Sequence, residues 1–250
     1  MQSRKESTLK PKSSPSNGFQ AVRNKILLSL PPFESSLLFE RMEFVNLPVR
    51  TTLSEPMEPI ENAYFIESGL ASVLSIANDE KAVEVGLCGN EGFVGLPLIA
   101  GLRSSATRTF MQVAGSGYRI ETSHFSKVLE ECPDLRIALM RFEQIAAMQA
   151  GQIAACNRMH KVDSRTARWL AMSQDRLGGD VIPLTQEFLA HMLGARRASV
   201  SEAVSSLERT GMIAHRRGAL HVKDRRALVS AACECYKIIV EQIKKWESEV

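Results

Sequence analysis

The apolar positions of this 250-residue chain change period several times. From Gln20 to Met42 they cluster as Ile26, Leu27 and Leu30 and then as Leu37, Leu38 and Met42, with Pro31 and Pro32 between, which predicts two short helices. From Phe44 to Ile120 short apolar runs alternate with turn residues. YFIESGLASVLSI is broken at Gly69, KAVEVGL follows Asn78 and Asp79, and TRTFMQVAG leads to GYRI, a pattern of many short strands that predicts a sandwich or barrel. Residues 133 to 160 then read as one long helix, opened by Pro133 and spanning on the order of 40 Å at 1.5 Å per residue. Within it Leu139, Ala146 and Ile153 recur every seven residues, as do Phe142, Gln149 and Cys156. The recurrence predicts a two-stranded coiled-coil seam in which small residues allow close approach. A helix packed on its own domain would show the same recurrence.

Residues 184 to 211, LTQEFLAHMLGARRASVSEAVSSLERTG, read as two short amphipathic helices broken at Gly194, a helix-turn-helix layout. Thr185 is placed to cap the first helix, Phe188, Leu189 and Met192 form its buried stripe, and small Ala190 permits a close crossing. The second helix presents Arg196, Arg197, Ser199, Ser201 and Glu202 outward while Val200, Val204 and Leu207 face inward. MIAHRRGALHV follows, two short strands around a basic tip, which reads as a β-hairpin wing. A helix of this width fits the DNA major groove, where guanidinium groups bond guanine O6 and N7.

Charge sharpens this picture. Between 196 and 226 there are eight lysines or arginines against three acids, whereas the whole chain carries only +3. Such local concentration suits a phosphate-binding face, although a solvated basic face is the plainer alternative. At this length a sensor or partner domain is expected to precede the DNA-binding module. No apolar run reaches the roughly 20 residues that span a bilayer, and the N-terminus lacks the apolar core of a secretion signal, so no membrane partner and a cytoplasmic location are expected. The opening MQSRKESTLKPKSSPSNG is rich in Ser, Lys and Pro and reads as a disordered tail over residues 1–19. Nothing resembles a P-loop, a nucleophile elbow or a paired-carboxylate site, so the chain is read as non-enzymatic.

The order of these parts resembles the Crp/Fnr family of bacterial transcription factors, over about residues 20 to 230. The matches are YFIESGLASV and GNEGFVGLP in the strand-rich part and LTQEFLAHMLGARRASVSEAVSSLERTGMI near the C-terminus. The resemblance implies an α+β chain. Its parts would be a cyclic-nucleotide-binding-like β-roll over 20–132, a dimerisation helix over 133–160 and a winged helix-turn-helix domain with a C-terminal helix over 161–250. It further implies a homodimer that binds double-stranded DNA at an inverted-repeat operator and touches RNA polymerase. Candidate DNA-binding residues are Thr185, Gln186, Arg196, Arg197, Ala198, Ser199, Ser201, Glu202, Arg216 and Arg217. The family's base-contacting positions fall on Arg197, Ala198 and Glu202, where its cyclic-AMP receptor carries Arg, Glu and Arg, so the operator is expected to differ. Glu202 also fits a capping box with Ser199, which would take it away from the bases. Arg196, Arg216 and Arg217 are assigned to phosphates.

Members of the family that bind cyclic AMP use a segment that begins Gly-Glu-Leu and ends Arg-Ser-Ala or Arg-Thr-Ala. Here it begins Gly95-Leu96-Pro97, and the arginine slot falls near Ser105 or Ala106, followed by Thr107. Leu96 accepts no hydrogen bond, so the pocket is read as degenerate, with Arg103 and Arg108 leaving a rearranged anion site as the alternative. The oxygen-sensing branch holds an iron-sulfur cluster through clustered N-terminal cysteines, whereas the five here are Cys88, Cys132, Cys156, Cys233 and Cys235. No cluster and no other cofactor is expected. On one C-terminal helix Cys233 and Cys235 would point about 200° apart, against paired metal ligation, and no histidine spacing suggests zinc, so no metal is assigned. Cys88, in the turn LCGNEG, and Cys156 are possible redox thiols against a plain reading as small apolar filler. A ligand-sensing module whose basic end docks protein or RNA is the competing reading of the whole chain.

Overall fold

The computed structural model describes residues 22–77 and 82–249. The tail over residues 1–19 and the turn at Asn78 and Asp79 lie outside the described residues.

Two short helices open the described chain, α1 (Lys25–Leu28), capped by the Asn24 side chain, and α2 (Pro32–Phe39), with Pro32 in its first turn. An antiparallel sheet follows, built from β1 (Glu43–Leu47), β2 (Thr52–Ser54), β3 (Asn62–Ile76), β4 (Ala82–Cys88), β5 (Phe93–Val94) and β6 (Thr107–Glu121) in the order β1-β6-β3-β4. β2 pairs with β6 and β5 with β3. The expected run of short strands is therefore corrected. β3 and β6 are 15 residues each and pair along almost their whole length. Gly69 bends β3 without ending it. The register slips between Ile66 and Leu70, and Gly69 has φ +84°, with the place of a Cβ only 2.6 Å from the Val113 carbonyl oxygen. A bulge of this kind curls a long strand pair into a roll, and only glycine fits the close approach. Ala63, Tyr64, Phe65 and Ile66 are all buried in succession because this part of β3 is covered on both faces.

One core lies inside the roll, where Phe65, Phe93 and Phe125 pack together with Leu38 and Leu135. Helix α3 (Thr122–Glu131) closes it and leads to α4 (Pro133–Met159), a single helix of 27 residues. The first amides of α4 are satisfied from a distance, since the buried Glu34 carboxylate accepts from Asp134 N at 3.0 Å and from Leu135 N at 2.8 Å. Beyond α4 come α5 (Val162–Leu177), β7 (Val181–Pro183), α6 (Gln186–Met192), α7 (Arg197–Arg209), β8 (Ile213–Arg216), β9 (Ala219–Val222), α8 (Arg225–Ala231) and α9 (Glu234–Ser248). Strands β7, β9 and β8 form a second small sheet. A second core joins this C-terminal part to the roll, since Leu70, Leu74 and Leu87 of β3 and β4 pack with Trp169, Leu189, Met192 and Val200.

The phase of α4 differs from the expected seam. Leu139, Phe142, Gln149, Ile153 and Cys156 are buried within the chain itself and Ala146 is half-buried, so these six do not form an outward seam. Leu139 and Phe142 belong to the roll's core, and the Gln149 amide bonds Leu87 O and Arg176. The open face carries Ile137 and Met140, 44% and 52% exposed, with Gln144, Ala147, Gly151 and Ala154. Positions 137, 144 and 151 precede 139, 146 and 153 by two residues, about 200° around a helix. Both sets therefore recur every seven residues, on opposite faces. Among the described residues no helix is long and apolar enough to cross a membrane.

Candidate nucleic-acid interface

The hairpin of α6 and α7 is shaped by its own sequence. Thr185 caps α6 by accepting from Phe188 N at 3.2 Å, and Gly194, at φ +56°, makes the turn, where a side chain would press on Val83 of β4. Leu189, Ala190 and Met192 are buried as expected, whereas Phe188 is half-buried and rests edge-on against Phe110 of β6. Val200, Ala203, Val204 and Leu207 form the inner face of α7. Its outer face presents Arg197, Ala198 and Glu202, and exposed Arg196 sits at the N-cap position.

Not every expected contact residue is free. The Ser201 hydroxyl donates to Gln186 Oε1 at 2.8 Å, so this half-buried pair braces α6 against α7. Ser199 is half-buried in the first turn of α7, with Arg196 in the cap position, so the capping box with Glu202 does not form. Glu202 is exposed, with no hydrogen bond among the described residues. The wing is the β8–β9 hairpin, in which Arg216 opposes Ala219 and Arg217-Gly218 make the tip. Glu208 of α7 steadies it by accepting from His215 N at 2.9 Å. Arg196, Arg197, Arg216 and Arg217 are exposed, and among the described residues none pairs with an acid. Arg225 is different. It is tied to Asp175, to Gln174 and, at 2.8 Å, to the Tyr236 hydroxyl, so one of the eight local cations serves the fold.

The residues of the degenerate pocket face different surroundings. Gly95, at φ +123°, leads into a short 3-10 helix (Leu96–Ala100), and Leu96 packs on the roll's core beside half-buried Pro97. Ser105 bonds Thr107 and bridges to Pro56, and Arg103 and Ala106 are exposed. Arg108 pairs with Glu55 at 2.8 Å in a groove of about 390 Å³ between the roll and α6, bordered by Phe110, Phe188 and His191. Its charge is engaged by Glu55.

The junction between roll and head contains a residue that the sequence did not single out. Buried Glu84 of β4 accepts from Trp169 Nε1 of α5 at 2.7 Å and from the Ser72 hydroxyl at 2.8 Å. Burial raises its pKa to about 7, against the pull of these donors and of Arg168 and Arg176. Nothing local in the run AVEVG marks it, because its partners come from other segments.

The cysteines also depart from expectation. Cys88 ends β4 and is buried, and burial pushes its thiol well above the ordinary range, which removes the exposure a redox thiol needs. Cys156 is not on an open seam. It lies against Cys233, Cys235 and His160, so the assignment of no metal meets a group of four potential ligands. Cys233 is extended and precedes α9, which removes the 200° divergence expected of two helical positions. Its sulfur lies 3.4 Å from that of Cys156, and this contact lowers the pKa of Cys156 and raises that of Cys233.

Residues 164–231 match the Crp-like helix-turn-helix domain. None of the curated proteins compared with the chain matches it. Among solved structures the chain is similar to FixK2 from Bradyrhizobium japonicum, with 15% identity and a TM-score of 0.66 over 77% of this chain and 98% of that one. It is similar to the c-di-GMP-responsive global regulator CLP of Xanthomonas campestris, with 16% identity and a TM-score of 0.62 over 77% and 99%. It is also similar to a transcriptional regulator of the CRP/FNR family from Thermus thermophilus, with 17% identity and a TM-score of 0.57 over 76% and 98%. The chain therefore carries a Crp-like helix-turn-helix domain and has the fold of the Crp/Fnr family of transcriptional regulators.

Proposed function

We propose that this protein is a dimeric, sequence-specific DNA-binding regulator of transcription that reads an inverted-repeat operator and contacts RNA polymerase. The observation that carries this reading is the open face of α7 and the wing, where Arg196 and Arg197 beside Ala198 and Glu202, and Arg216 and Arg217 on the hairpin, are exposed and pair with no acid among the described residues. Arg197 reads guanine, Ala198 leaves room for a thymine methyl, Glu202 is free to accept from cytosine N4, and Arg196, Arg216 and Arg217 hold phosphates. Thr185, Gln186, Ser199 and Ser201 shape and brace the hairpin, with Thr185 exposed beside the groove-facing surface.

The second copy docks along Ile137, Met140, Gln144, Ala147, Gly151 and Ala154. The small residues let two helices approach closely, and a Cβ added at Gly151 would meet nothing within 4 Å of its own chain. The roll does not respond to cyclic AMP, because Leu96 supplies no acceptor for a ribose hydroxyl, Ser105 supplies no cation for a phosphate, and Arg108 is held by Glu55. No iron-sulfur cluster of the oxygen-sensing pattern is built, since no cysteine precedes Cys88.

Selection of duplex fragments from a random pool by the purified full chain tests the reading. Enrichment of a two-fold symmetric site, bound by a dimer in sedimentation, is expected. A monomer without preference for any duplex would overturn it. Added cyclic AMP is expected to change neither the melting temperature nor the affinity for the selected site.

A further inference from the structure

Behind the winged head, residues far apart in sequence bring four soft ligand atoms together. Cys156 lies in the last turn of α4, and His160 follows four residues later at its C-cap, on the same side of the helix. Cys233 precedes α9 and Cys235 lies in its first turn. The Cys156 and Cys233 sulfurs are 3.4 Å apart, the Cys235 sulfur is 3.5 Å from His160 Nδ1, and all four ligand atoms lie within 4.8 Å of one another. Four ligands around one zinc ion, with Zn–S near 2.3 Å, stand about 3.8 Å apart at the corners of a tetrahedron. Spacing this tight suits one ion and leaves no room for a multi-iron core.

The surroundings fit the same purpose. His160 turns Nδ1 toward the sulfurs while its Nε2 lies 2.9 Å from Glu234 Oε1, the carboxylate arrangement that fixes the tautomer and orientation of a metal-binding histidine. Gln152 Nε2 donates to the Cys235 sulfur at 3.1 Å, as amides do to metal thiolates. Arg168 of α5 is only 2% exposed, its Nη1 donates to the Met172 sulfur, its Nε has no partner among the described residues, and its charge acts on both Cys156 and Cys233. A buried cation left unpaired is unfavourable, whereas one beside an anionic centre is compensated. Three thiolates and one neutral imidazole around a divalent ion carry a net charge of −1, a counter-charge for Arg168 in addition to Glu84.

We propose that Cys156, His160, Cys233 and Cys235 bind a single zinc ion in a closed, four-coordinate structural site that clamps the end of α4 to the start of α9. On binding, the remaining thiol protons leave to solvent, three sulfurs and Nδ1 each donate an electron pair to the ion, and no oxidation state changes. The ion holds the bend between α4 and α5, from which the DNA-reading head continues. The site stands independently of the DNA-binding reading.

The test uses full-length protein purified with a phosphine reductant and without chelator. About one zinc per chain is expected by elemental analysis, falling to about a tenth or less in Cys156→Ser, Cys233→Ser and Cys235→Ser, while Cys88→Ser and Cys132→Ser keep it. Because a cysteine variant could lose metal by unfolding, the wild-type chain is also stripped and titrated with Co²⁺. A thiolate-to-cobalt charge-transfer band with the visible absorption of a tetrahedral ion is expected, saturating at about one equivalent and reversed by Zn²⁺. Wild-type protein that comes out metal-free and takes up neither ion at micromolar levels would overturn the proposal. So would a Cys156–Cys233 disulfide as the only modification of that cluster, or undiminished zinc in all three serine variants.

Discussion

Helices α4 and α7 each have one face closed against the chain and one left open, and the open faces are chemically opposite. On α7 the open side is charged, with Arg197 and Glu202 beyond a closed row of Val200, Val204 and Leu207. On α4 the open side carries Ile137, Met140, Ala147, Gly151 and Ala154, while the larger Leu135, Leu139, Phe142 and Ile153 are inside. An apolar face that stays in water gains from a second apolar face, and small residues let it come close. A face of unpaired guanidinium groups gains from phosphates and base edges. The difference is the ground for proposing a second copy as the partner of α4 and duplex DNA as the partner of α7.

The largest way to break this comparison is to charge the α4 seam. Gly151→Glu would place like charges across the proposed two-fold axis, where nothing on the same chain lies within 4 Å of the new Cβ. The variant is expected to stay folded, to sediment as a monomer and to lose about 10²- to 10⁴-fold in operator affinity as paired half-sites become single ones. A dimer with unchanged affinity would place the second copy elsewhere.

A second measurement addresses the junction between the roll and the head, where Glu84 of β4 meets Trp169 of α5. Glu84 has a folded pKa of about 7 against an ordinary 4.5, so its contribution to stability is fully present below 4.5 and is lost as pH rises through 7. The loss is on the order of 3 kcal/mol at about 1.4 kcal/mol per pKa unit. Glu84→Gln, which keeps an acceptor for Trp169, is expected to gain stability relative to wild type between pH 5 and pH 8 in denaturant unfolding. A difference that does not change with pH would show that the carboxyl is not held protonated at the junction.

These cases also show what a sequence can and cannot carry. The head was legible because its determinants are local: Thr185 and its capped amide, the Gly194 turn and the two-residue wing tip all lie within one run of about forty positions. The existence and start of α4 were legible for the same reason, but its phase was not. Two sets of positions repeat every seven residues on opposite faces, and only the roll's location decides which is covered. Partners distant in sequence left no signal at all. Glu84 and Trp169 are 85 residues apart, and Cys156 and Cys233 are 77 apart. The C-x-C spacing misled because it was read as two helical positions, whereas Cys233 is extended ahead of the helix.

Two smaller predictions divide the open face of α7 from the wing. Arg197→Ala is expected to remove about 1 to 3 kcal/mol of discrimination at one operator position and to leave the others ranked as before, measured by competition among single-base variants of the selected site. If every position loosens equally, Arg197 holds phosphate and the base-reading role moves to Glu202.

Arg217→Ala should have the smallest effect and the most diagnostic form. The residue sits at an exposed hairpin tip with no acid paired to it among the described residues, so its removal leaves the head's packing intact. Affinity is expected to fall by a similar factor on specific and nonspecific duplexes. The slope of log affinity against log salt should become shallower by about 1, because one fewer counterion is released on binding. A loss confined to the specific site would mean that the wing reads sequence, and the distinction between a reading helix and a positioning hairpin would not hold.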